Sequence, residues 1–383
     1  MAGEWLNITL GDFVALQRGH DLTEPQRRIG NVPVMGSAGQ NGFHDTARAK
    51  GPGIVIGRSG ASFGQVHYSE DDFWPHNTGL YVTDFKGNDP RFAFYFLKAI
   101  DFDRYNSGSA QPSLNRNFIY PIPVCVPKPK EQRAIAHVLG TLDDLIELNR
   151  ETNEILEEMA RALFKSWFVD FDPVRAKLEG RPPAGMDAAT AALFPDHFQD
   201  SELGQIPKEW EVKKVGDFID RLSVGQKYDQ KTVLPAGAVP VLDQGKSGVI
   251  GYHNNTPGVT ATMEEPVVVF ANHTCYMRLM THSFSAIQNV LPFTSSTLDT
   301  FWAYYATEGR LSLSEYKGHW PDFVIQETVV APRDLTVAFR QAVLPIVALI
   351  RTAEAESRDL ATLRDTLLPK LLSGEVSAAQ API

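Results

Sequence analysis

The longest helical pattern in the chain is EQRAIAHVLGTLDDLIELNRETNEILEEMARALFKSWF (residues 131–168), which contains no proline and no interior turn cluster. Its apolar residues recur at steps of three and four, the heptad-like spacing of a helix with one apolar stripe. The stripe comprises Ile135, Val138, Leu142, Leu145, Leu156, Met159 and Leu163, with Asn149 and Thr152 in its polar gap. At 1.5 Å per residue such a helix is about 57 Å long, so it must pack against another long element.

A second helical pattern of similar length runs from Thr336 to about Leu372. Its apolar stripe comprises Val343, Val347, Ile350, Leu360, Leu363 and Leu367. Pro345 removes one helical hydrogen bond, so we expect the helix to begin just before this residue or to kink there. The two stripes predict an antiparallel coiled coil, and two independent core helices are the alternative.

The segments outside these helices form an internal repeat. Trp5-x5-Gly11-Asp12-Phe13 recurs 205 positions later as Trp210-x5-Gly216-Asp217-Phe218. Three further pairs follow in the same order: VPVMGSAGQNGFH with VPVLDQGKSGVIGYH, FAFYFL with FWAYYA, and VCVPKPKEQRAI with VVAPRDLTVAFRQAV. An ordered set of four pairs indicates a duplicated unit. A duplication of structure without shared chemistry remains open at this point.

Each repeat begins with a part that is rich in turn residues. Short apolar runs at residues 53–57 and 266–271 predict strands, and residues 92–100 and 301–306 predict short helices. Residues 168–210 predict an ordered linker with a short helix near residues 187–194. The predicted fold class is therefore α+β, with two mixed α/β domains in tandem that are separated and joined by the two long helices. The predicted segments are 1–127, 128–168, 169–205, 206–332 and 333–383.

Composition narrows the class of protein. The 383 residues carry a net charge of −10, which taken alone argues against a nucleic-acid binder. Cys125 and Cys275 lie far apart, which excludes a disulfide framework and a cysteine zinc site. No apolar run approaches the roughly 18 residues of a membrane span, and the N-terminus lacks the features of a signal peptide. We therefore expect a cytoplasmic protein with no membrane partner.

Enzymatic motifs are absent from the sequence. There is no [DNS]-P-P-[FYW] methyltransferase tetrapeptide, and the histidines show no metal-ligand spacing. Gly245-Lys246-Ser247 resembles the end of a P-loop, but Pro240 occupies the position of its first glycine. We expect no catalytic residue and no metal site in this chain.

The order of these parts resembles the specificity subunit of type I restriction-modification enzymes. In that order a variable domain is followed by a Pro-x-Pro and Glu-Gln-Arg-x-Ile segment, a long helix, a second variable domain and a second long helix. The strings that carry the resemblance are PIPVCVPKPKEQRAIAHVLGTLDDLIELNRE (residues 121–151), GSAQPSLNR (108–116), LGQIPKEW (203–210) and LRDTLLPKLLSGEV (363–376). Together they cover essentially the whole chain.

The resemblance implies a non-catalytic subunit with two target recognition domains, residues 1–127 and 206–332. Each domain would read one half of an asymmetric, bipartite site in double-stranded DNA, and the helices would set the unread spacer. The helices would also dock two methyltransferase subunits, which motor-nuclease subunits then join. S-adenosylmethionine, ATP and magnesium would be used on those other subunits. The sequence leaves open a coiled-coil protein-interaction scaffold that reads no DNA, or a stand-alone DNA enzyme.

Base reading requires polar side chains on loops. In the first repeat we expect DNA contacts from Ser37, Asn41, Arg58, Ser59, Gln65, Ser109, Gln111, Asn115 and Arg116. In the second repeat we expect them from Gln244, Lys246, Ser247, Asn272, His273, Arg278, Lys317 and His319. Arg58 and Lys246 are the foremost candidates. For partner docking we expect the exposed helix face together with Trp167, Phe168 and Phe171, although these three aromatic residues could equally belong to an internal core.

Overall fold

The computed structural model describes residues 5–108, 112–245, 248–312 and 317–380. The chain divides into two compact units. The first unit comprises Met1–Arg150 and Glu354–Ile383, and the second comprises Glu151–Ala353. Each unit therefore contains one of the predicted repeats and a part of each long helix.

The first unit begins with a mixed α/β segment. Its strands are β1 (Trp5–Thr9), β2 (Ala15–Arg18), β3 (Val32–Gly36), β4 (Gly39–His44), β5 (Gly53–Gly57), β6 (Val66–Ser69), β7 (Trp74–Pro75), β8 (Gly79–Asp84) and β9 (Pro123–Pro127). Its helices are α1 (Leu10–Phe13), α2 (Pro90–Lys98), α3 (Arg116–Ile119) and the start of α4 (Pro129–Phe168), with 3-10 turns at Glu24–Gln26, Gly60–Ser62 and Phe102–Tyr105. The strand predicted at residues 53–57 is confirmed as β5.

These strands form three sheets. A four-stranded antiparallel sheet has the order β2-β8-β5-β6, and a three-stranded sheet has the order β4-β3-β7 with β3 and β7 parallel. The strands β1 and β9 form a separate antiparallel pair. The central strand β5 is buried along its whole length, so it carries a continuous apolar run rather than an alternating pattern.

The second unit contains the linker and the second repeat. Its strands are β10 (Phe198–Ser201), β11 (Gly204–Pro207), β12 (Glu211–Lys214), β13 (Asp220–Arg221), β14 (Val239–Leu242), β15 (Val249–His253), β16 (Val267–Ala271), β17 (Met277–Met280), β18 (Ser285–Ala286), β19 (Val290–Thr294) and β20 (Glu327–Val330). Its helices are α5 (Asp172–Leu178), α6 (Ala188–Ala192), α7 (Thr300–Thr307), α8 (Trp320–Val324) and the start of α9 (Arg333–Ser373), with a 3-10 turn at Val215–Asp217. A further 3-10 turn at Ala378–Gln380 follows α9 and belongs to the first unit.

The sheets of the second unit repeat those of the first. The order β13-β19-β16-β17 corresponds to β2-β8-β5-β6, and β15-β14-β18 corresponds to β4-β3-β7. The parallel pair recurs between β14 and β18, and β12 pairs with β20 as β1 pairs with β9. The sequence repeat is therefore a duplication of the whole sheet topology.

The long helices pair within each unit. In the first unit Ile135, Leu139 and Leu142 of α4 are buried in one core with Leu367 and Leu371 of α9. Asp143 contacts Arg364, and Asn149 contacts Glu356, so residue numbers rise along α4 as they fall along α9. This pairing is antiparallel, as predicted.

The packed face of α4 differs from the predicted stripe. Leu145 and Met159 were expected in the stripe but are 39% and 53% exposed, and Thr152 is exposed as well. Residues 142, 146, 149, 153, 156 and 160 lie on the face that is buried or half-buried. The reason is that alternating steps of four and three from Leu142 follow one helix face, whereas the three-residue step from Leu142 to Leu145 leaves it.

In the second unit, aromatic residues hold the helices together. Phe339 of α9 is fully buried and lies against Phe164 and Phe168 of α4, with ring centroids 5.6 and 5.4 Å apart. The helix α9 begins at Arg333 and continues through Pro345. The expectation that the helix begins just before Pro345 is therefore wrong.

The helix α9 is also long and apolar enough to meet a length-and-composition test for a membrane span. Its apolar residues have packing partners, however. Val343 and Val347 are buried in the core of the second unit, and Leu367 and Leu371 in the core of the first. The hydropathy of α9 therefore reflects packing within the protein.

Candidate nucleic-acid interface

Three loops of the first unit meet beyond the ends of β3 and β5. Ser37 follows β3, Arg58 and Ser59 follow β5, and Ser113 precedes α3. The Leu114 N–H donates to the Arg58 carbonyl at 2.8 Å, and Ser59 pairs with Ser113 in an isolated bridge. The structure thus brings the predicted residues Ser37, Arg58 and Ser59 together. We call Ser37, Arg58, Ser59, Thr78 and Ser113 the first polar cluster.

Thr78, which the sequence analysis did not single out, organises this cluster. Its Oγ1 accepts a hydrogen bond from the Ser37 N–H at 3.1 Å, and its carbonyl accepts one from the Arg58 N–H at 3.0 Å. Gly57 allows the close approach, because a Cβ there would lie 1.9 Å from the Ser62 carbonyl oxygen and 2.9 Å from that of Ser37. The signal available in the sequence was a polar residue immediately before the apolar run of β8.

His67 supports the cluster from β6. Its Nε2 donates to the Ser37 carbonyl at 3.0 Å. Burial lowers the pKa of His67 below its ordinary value of 6.5, although the bond to Ser37 opposes this effect. The neutral imidazole is therefore the form that the folded protein favours.

The side chain of Arg58 differs from those of Arg28 and Arg116 in the same unit. Its Nε is buried and has no hydrogen-bond partner among the described residues. By contrast, Arg116 donates from Nη1 to the Leu16 carbonyl at 2.9 Å, and Arg28 pairs with Asp45 at 2.7 Å. The guanidinium of Arg58 is thus a donor group that the described part of the fold leaves unused.

The remaining predicted residues of the first unit lie in different settings. Asn41 is exposed on β4, and Gln65 is exposed at the turn between β5 and β6. Asn115 caps α3 by accepting a hydrogen bond from the Asn117 N–H at 3.0 Å, so both Asn115 and Arg116 have a role in the fold. Ser109 and Gln111 lie outside the described residues.

The second unit forms an equivalent cluster from the same three loops. Gln244 follows β14, Asn272 and His273 follow β16, and Lys317 and His319 precede α8. The His319 N–H donates to the Asn272 carbonyl at 2.9 Å, as the Leu114 N–H donates to that of Arg58. Gln244 Oε1 accepts from the His273 N–H at 2.9 Å, and His273 Nδ1 donates to the Lys317 carbonyl at 2.9 Å. We call these five residues the second polar cluster.

Side chains in this cluster are more constrained than in the first. Asn272 Oδ1 accepts from the Trp320 N–H at 2.9 Å, and Lys317 Nζ lies 3.1 Å from Asp322 Oδ2. The fold therefore fixes the orientation of the Asn272 amide, with its oxygen already engaged. In the second unit, Asn272 occupies the position that corresponds to Arg58, so an amide replaces a guanidinium.

Two predicted contacts of the second unit need correction. His319 is only 2% exposed, so its ring cannot reach a base edge. Arg278 donates to the carbonyls of Gly248 and Gly245 and lies 3.6 Å from Asp243, so it holds the loop after β14 in place. Both side chains stabilise the protein itself. Lys246 and Ser247 lie outside the described residues.

The predicted docking aromatics also need correction. Trp167, Phe168 and Phe171 are buried in the core of the second unit, where Phe168 and Phe171 pack against Trp210. The internal-core alternative is therefore what the structure shows. Apolar side chains that are exposed on α4 are Leu145 and Leu148 in the first unit and Ile155 and Met159 in the second.

No set of three or more metal-ligating side chains converges within the described ranges. The polar clusters are rich in side-chain donors and backbone amides. Such an arrangement can recognise acceptor atoms on a ligand.

Comparison with known proteins identifies relatives. Residues 2–158 match the family of type I restriction modification DNA specificity domains. The chain is 25% identical over 354 residues to the type I restriction enzyme MjaIX specificity subunit of Methanocaldococcus jannaschii, covering 85% of this chain and 78% of that protein. It is 24% identical over 364 residues to the HindI specificity subunit of Haemophilus influenzae, covering 75% and 77%. The crystal structure of an S subunit from M. genitalium has the same fold, with a TM-score of 0.56 at 16% identity over 96% of both chains.

Proposed function

The chain belongs to the family of type I restriction-modification specificity subunits, and we propose that its two units read the two halves of a split DNA sequence. One observation carries this proposal. The same three loops form a polar cluster in each unit, but the residues at equivalent positions differ. Equivalent scaffolds with different side chains would recognise two different half-sites.

We propose that the long helices set the distance between the half-sites. Each helix is continuous, with 40 residues in α4 and 41 in α9. At 1.5 Å per residue, 40 residues are about 60 Å long, which exceeds the roughly 34–36 Å of one turn of DNA. This length supports a spacer that neither unit reads.

We further propose that methyltransferase subunits dock on the exposed apolar residues of α4. Leu148 in the first unit is 56% exposed, and Ile155 in the second is 59% exposed. Exposed apolar side chains at helical spacing are typical of a surface that receives a partner helix. One such patch in each unit fits two copies of the partner.

In this proposal the chain catalyses nothing. The methyltransferase subunits would bind S-adenosylmethionine, and motor-nuclease subunits would use ATP and magnesium. The assembled enzyme would act on cytoplasmic DNA. The net charge of −10 implies that the isolated chain binds DNA weakly, because phosphate neutralisation supplies much of the affinity of DNA-binding proteins.

The test is a DNA-binding titration of the chain with and without its methyltransferase, at several salt concentrations. The proposal predicts weak binding by the chain alone and salt-dependent, sequence-selective binding by the complex. A complex that forms but binds all sequences equally would instead favour a protein-interaction scaffold.

The docking proposal has a separate test. Leu148→Asp and Ile155→Asp should each reduce the number of methyltransferase subunits in the purified complex. Leu178→Asp is the matched control, because Leu178 is also 56% exposed but ends the short helix α5. Full assembly in both α4 variants would overturn the proposed docking surface.

A further inference from the structure

The guanidinium of Arg58 is positioned as a recognition group. It extends from the residue that follows the buried central strand β5, where two backbone hydrogen bonds hold the main chain. The Arg58 carbonyl accepts from Leu114, and its N–H donates to the Thr78 carbonyl. The base of the side chain is therefore fixed by the sheet and by the loop before α3.

The described residues provide no hydrogen-bond acceptor for the guanidinium group of the same side chain. Arg58 is half-buried, and its Nε is shielded from water without an acceptor among the described residues. No ion pair or side-chain hydrogen bond joins it to another described residue. Burial of the Nε donor without an acceptor is unfavourable, and it restricts the Arg58 side chain to one side of the loop. The terminal nitrogens Nη1 and Nη2 are not among the buried atoms and have no hydrogen-bond partner among the described residues, so they can donate to two external acceptors.

We propose that Arg58 is the specificity-determining residue of the first unit and that it recognises a guanine through the O6 and N7 acceptors in the major groove. This inference rests on the proposed function. Guanine fits because an arginine has donors and no acceptor, and its planar fork matches two adjacent acceptors. Adenine, cytosine and thymine do not present that pair of acceptors in the major groove.

At the equivalent position of the second unit, a different side chain should recognise a different base. Asn272 occupies it, and its Oδ1 is already engaged by the Trp320 N–H. The free part of this side chain is a single amide group rather than a fork of five donors. Arg278, the arginine predicted to contact DNA in the second unit, is held by the carbonyls of Gly245 and Gly248. The requirement for guanine at this position is therefore specific to the first half-site.

The experiment compares the methylation motif of the wild-type chain with that of Arg58→Gln, each co-expressed with the methyltransferase. The wild type should require a guanine in the first half-site, and the variant should lose that requirement at one position by about tenfold to a hundredfold. The other positions and the whole second half-site should stay unchanged. Arg181→Gln is the control, because it makes the same charge change at an exposed arginine paired with Glu179.

A second measurement does not depend on the folding of a variant. The wild-type complex is given duplexes in which 7-deazaguanine replaces each guanine of the first half-site in turn. Binding should weaken severalfold at one of these guanines, because that base lacks the N7 acceptor. If no replacement weakens binding, the proposal is wrong.

Other outcomes are also decisive. If Arg58→Gln weakens methylation of all sequences uniformly and reduces the salt dependence, Arg58 contacts a phosphate and the guanine assignment fails. If the wild-type complex methylates no split motif at all, the proposed function fails rather than this assignment.

Discussion

The guanidinium of Arg364 in α9 donates to the carboxylate of Asp143 in α4 across 2.7 Å. The same carboxylate accepts a hydrogen bond of 2.5 Å from the Tyr95 hydroxyl of α2. The Arg364 and Asp143 side chains are only 21% and 27% exposed. One carboxylate thus ties the mixed α/β segment of the first unit to both long helices.

Replacement of Asp143 should destabilise the first unit. Asp143→Ala leaves the Arg364 cation and the Tyr95 hydroxyl without this acceptor, and we expect a loss of about 1–3 kcal/mol in the free energy of unfolding. A double-mutant cycle with Arg364→Ala, measured by urea denaturation, gives the coupling. The exposed pair Glu147–Arg150 on the same helix is the control, for which about 0–0.5 kcal/mol is expected. Equal losses for the two pairs would contradict this role of Asp143.

Phe339 should be the main packing residue of the helix pair in the second unit. It is fully buried and contacts Phe164, Trp167 and Phe168. Phe339→Ala leaves a cavity and should cost about 3–5 kcal/mol of stability. Leu349→Ala on the same helix removes a side chain that is 57% exposed and should cost less than about 0.5 kcal/mol. Chemical denaturation of both variants checks the difference, and similar losses would show that Phe339 is not the main packing residue.

His67 should make stability depend on pH. Burial lowers its pKa in the folded protein, so the unfolded chain binds the proton more tightly. The stabilising contribution is therefore present above the ordinary value of 6.5 and is lost as the pH falls through the lowered folded value. His67→Gln keeps a donor for the Ser37 carbonyl but cannot be protonated. Thermal melting between pH 7 and pH 5 should show a smaller loss for the variant, and parallel curves would contradict the assignment.

Longer helices should lengthen the DNA spacer. Seven residues inserted after Arg150 and seven after Ala353 extend each helix by about 10.5 Å. That length corresponds to about three base-pair steps of 3.4 Å. We expect a methylation motif with unchanged half-sites and a spacer that is longer by about three base pairs. An insertion of seven residues between Gly180 and Gly185, outside both long helices, should leave the spacer unchanged. If both half-sites are read at the original distance, the helices do not set the spacer.

The sequence predicted the elements whose signals are local. The apolar run of β5 and the long proline-free heptad-like pattern of α4 can each be recognised from their own residues alone. The repeat added to this evidence, because each unit supports the interpretation of the other. The face of α4 that packs against α9 was less predictable. Leu142 and Leu145 are equally apolar, and only the tertiary partner determines which of them is buried.

The candidate site was predicted in part for the same reason. Loop positions placed Ser37, Arg58 and Ser59 together because the strands before them lie in neighbouring sheets. Whether a polar side chain is available for DNA depends on its tertiary contacts, which cannot be seen in the sequence. Arg58 and Arg278 were both predicted to contact DNA, yet the carbonyls of Gly245 and Gly248 engage the Arg278 side chain, while the Arg58 side chain has no described hydrogen-bond partner. The aromatic residues at the end of α4 were ambiguous because an apolar side chain can serve a core or an interface equally well.

The most direct test of the account is to map methylated bases in the DNA of cells that co-express this chain with its methyltransferase. We predict a methylated sequence split into two different halves by an unread spacer of constant length, and its loss when this chain is deleted. A stable complex that methylates no sequence, or only an unsplit one, would contradict the account.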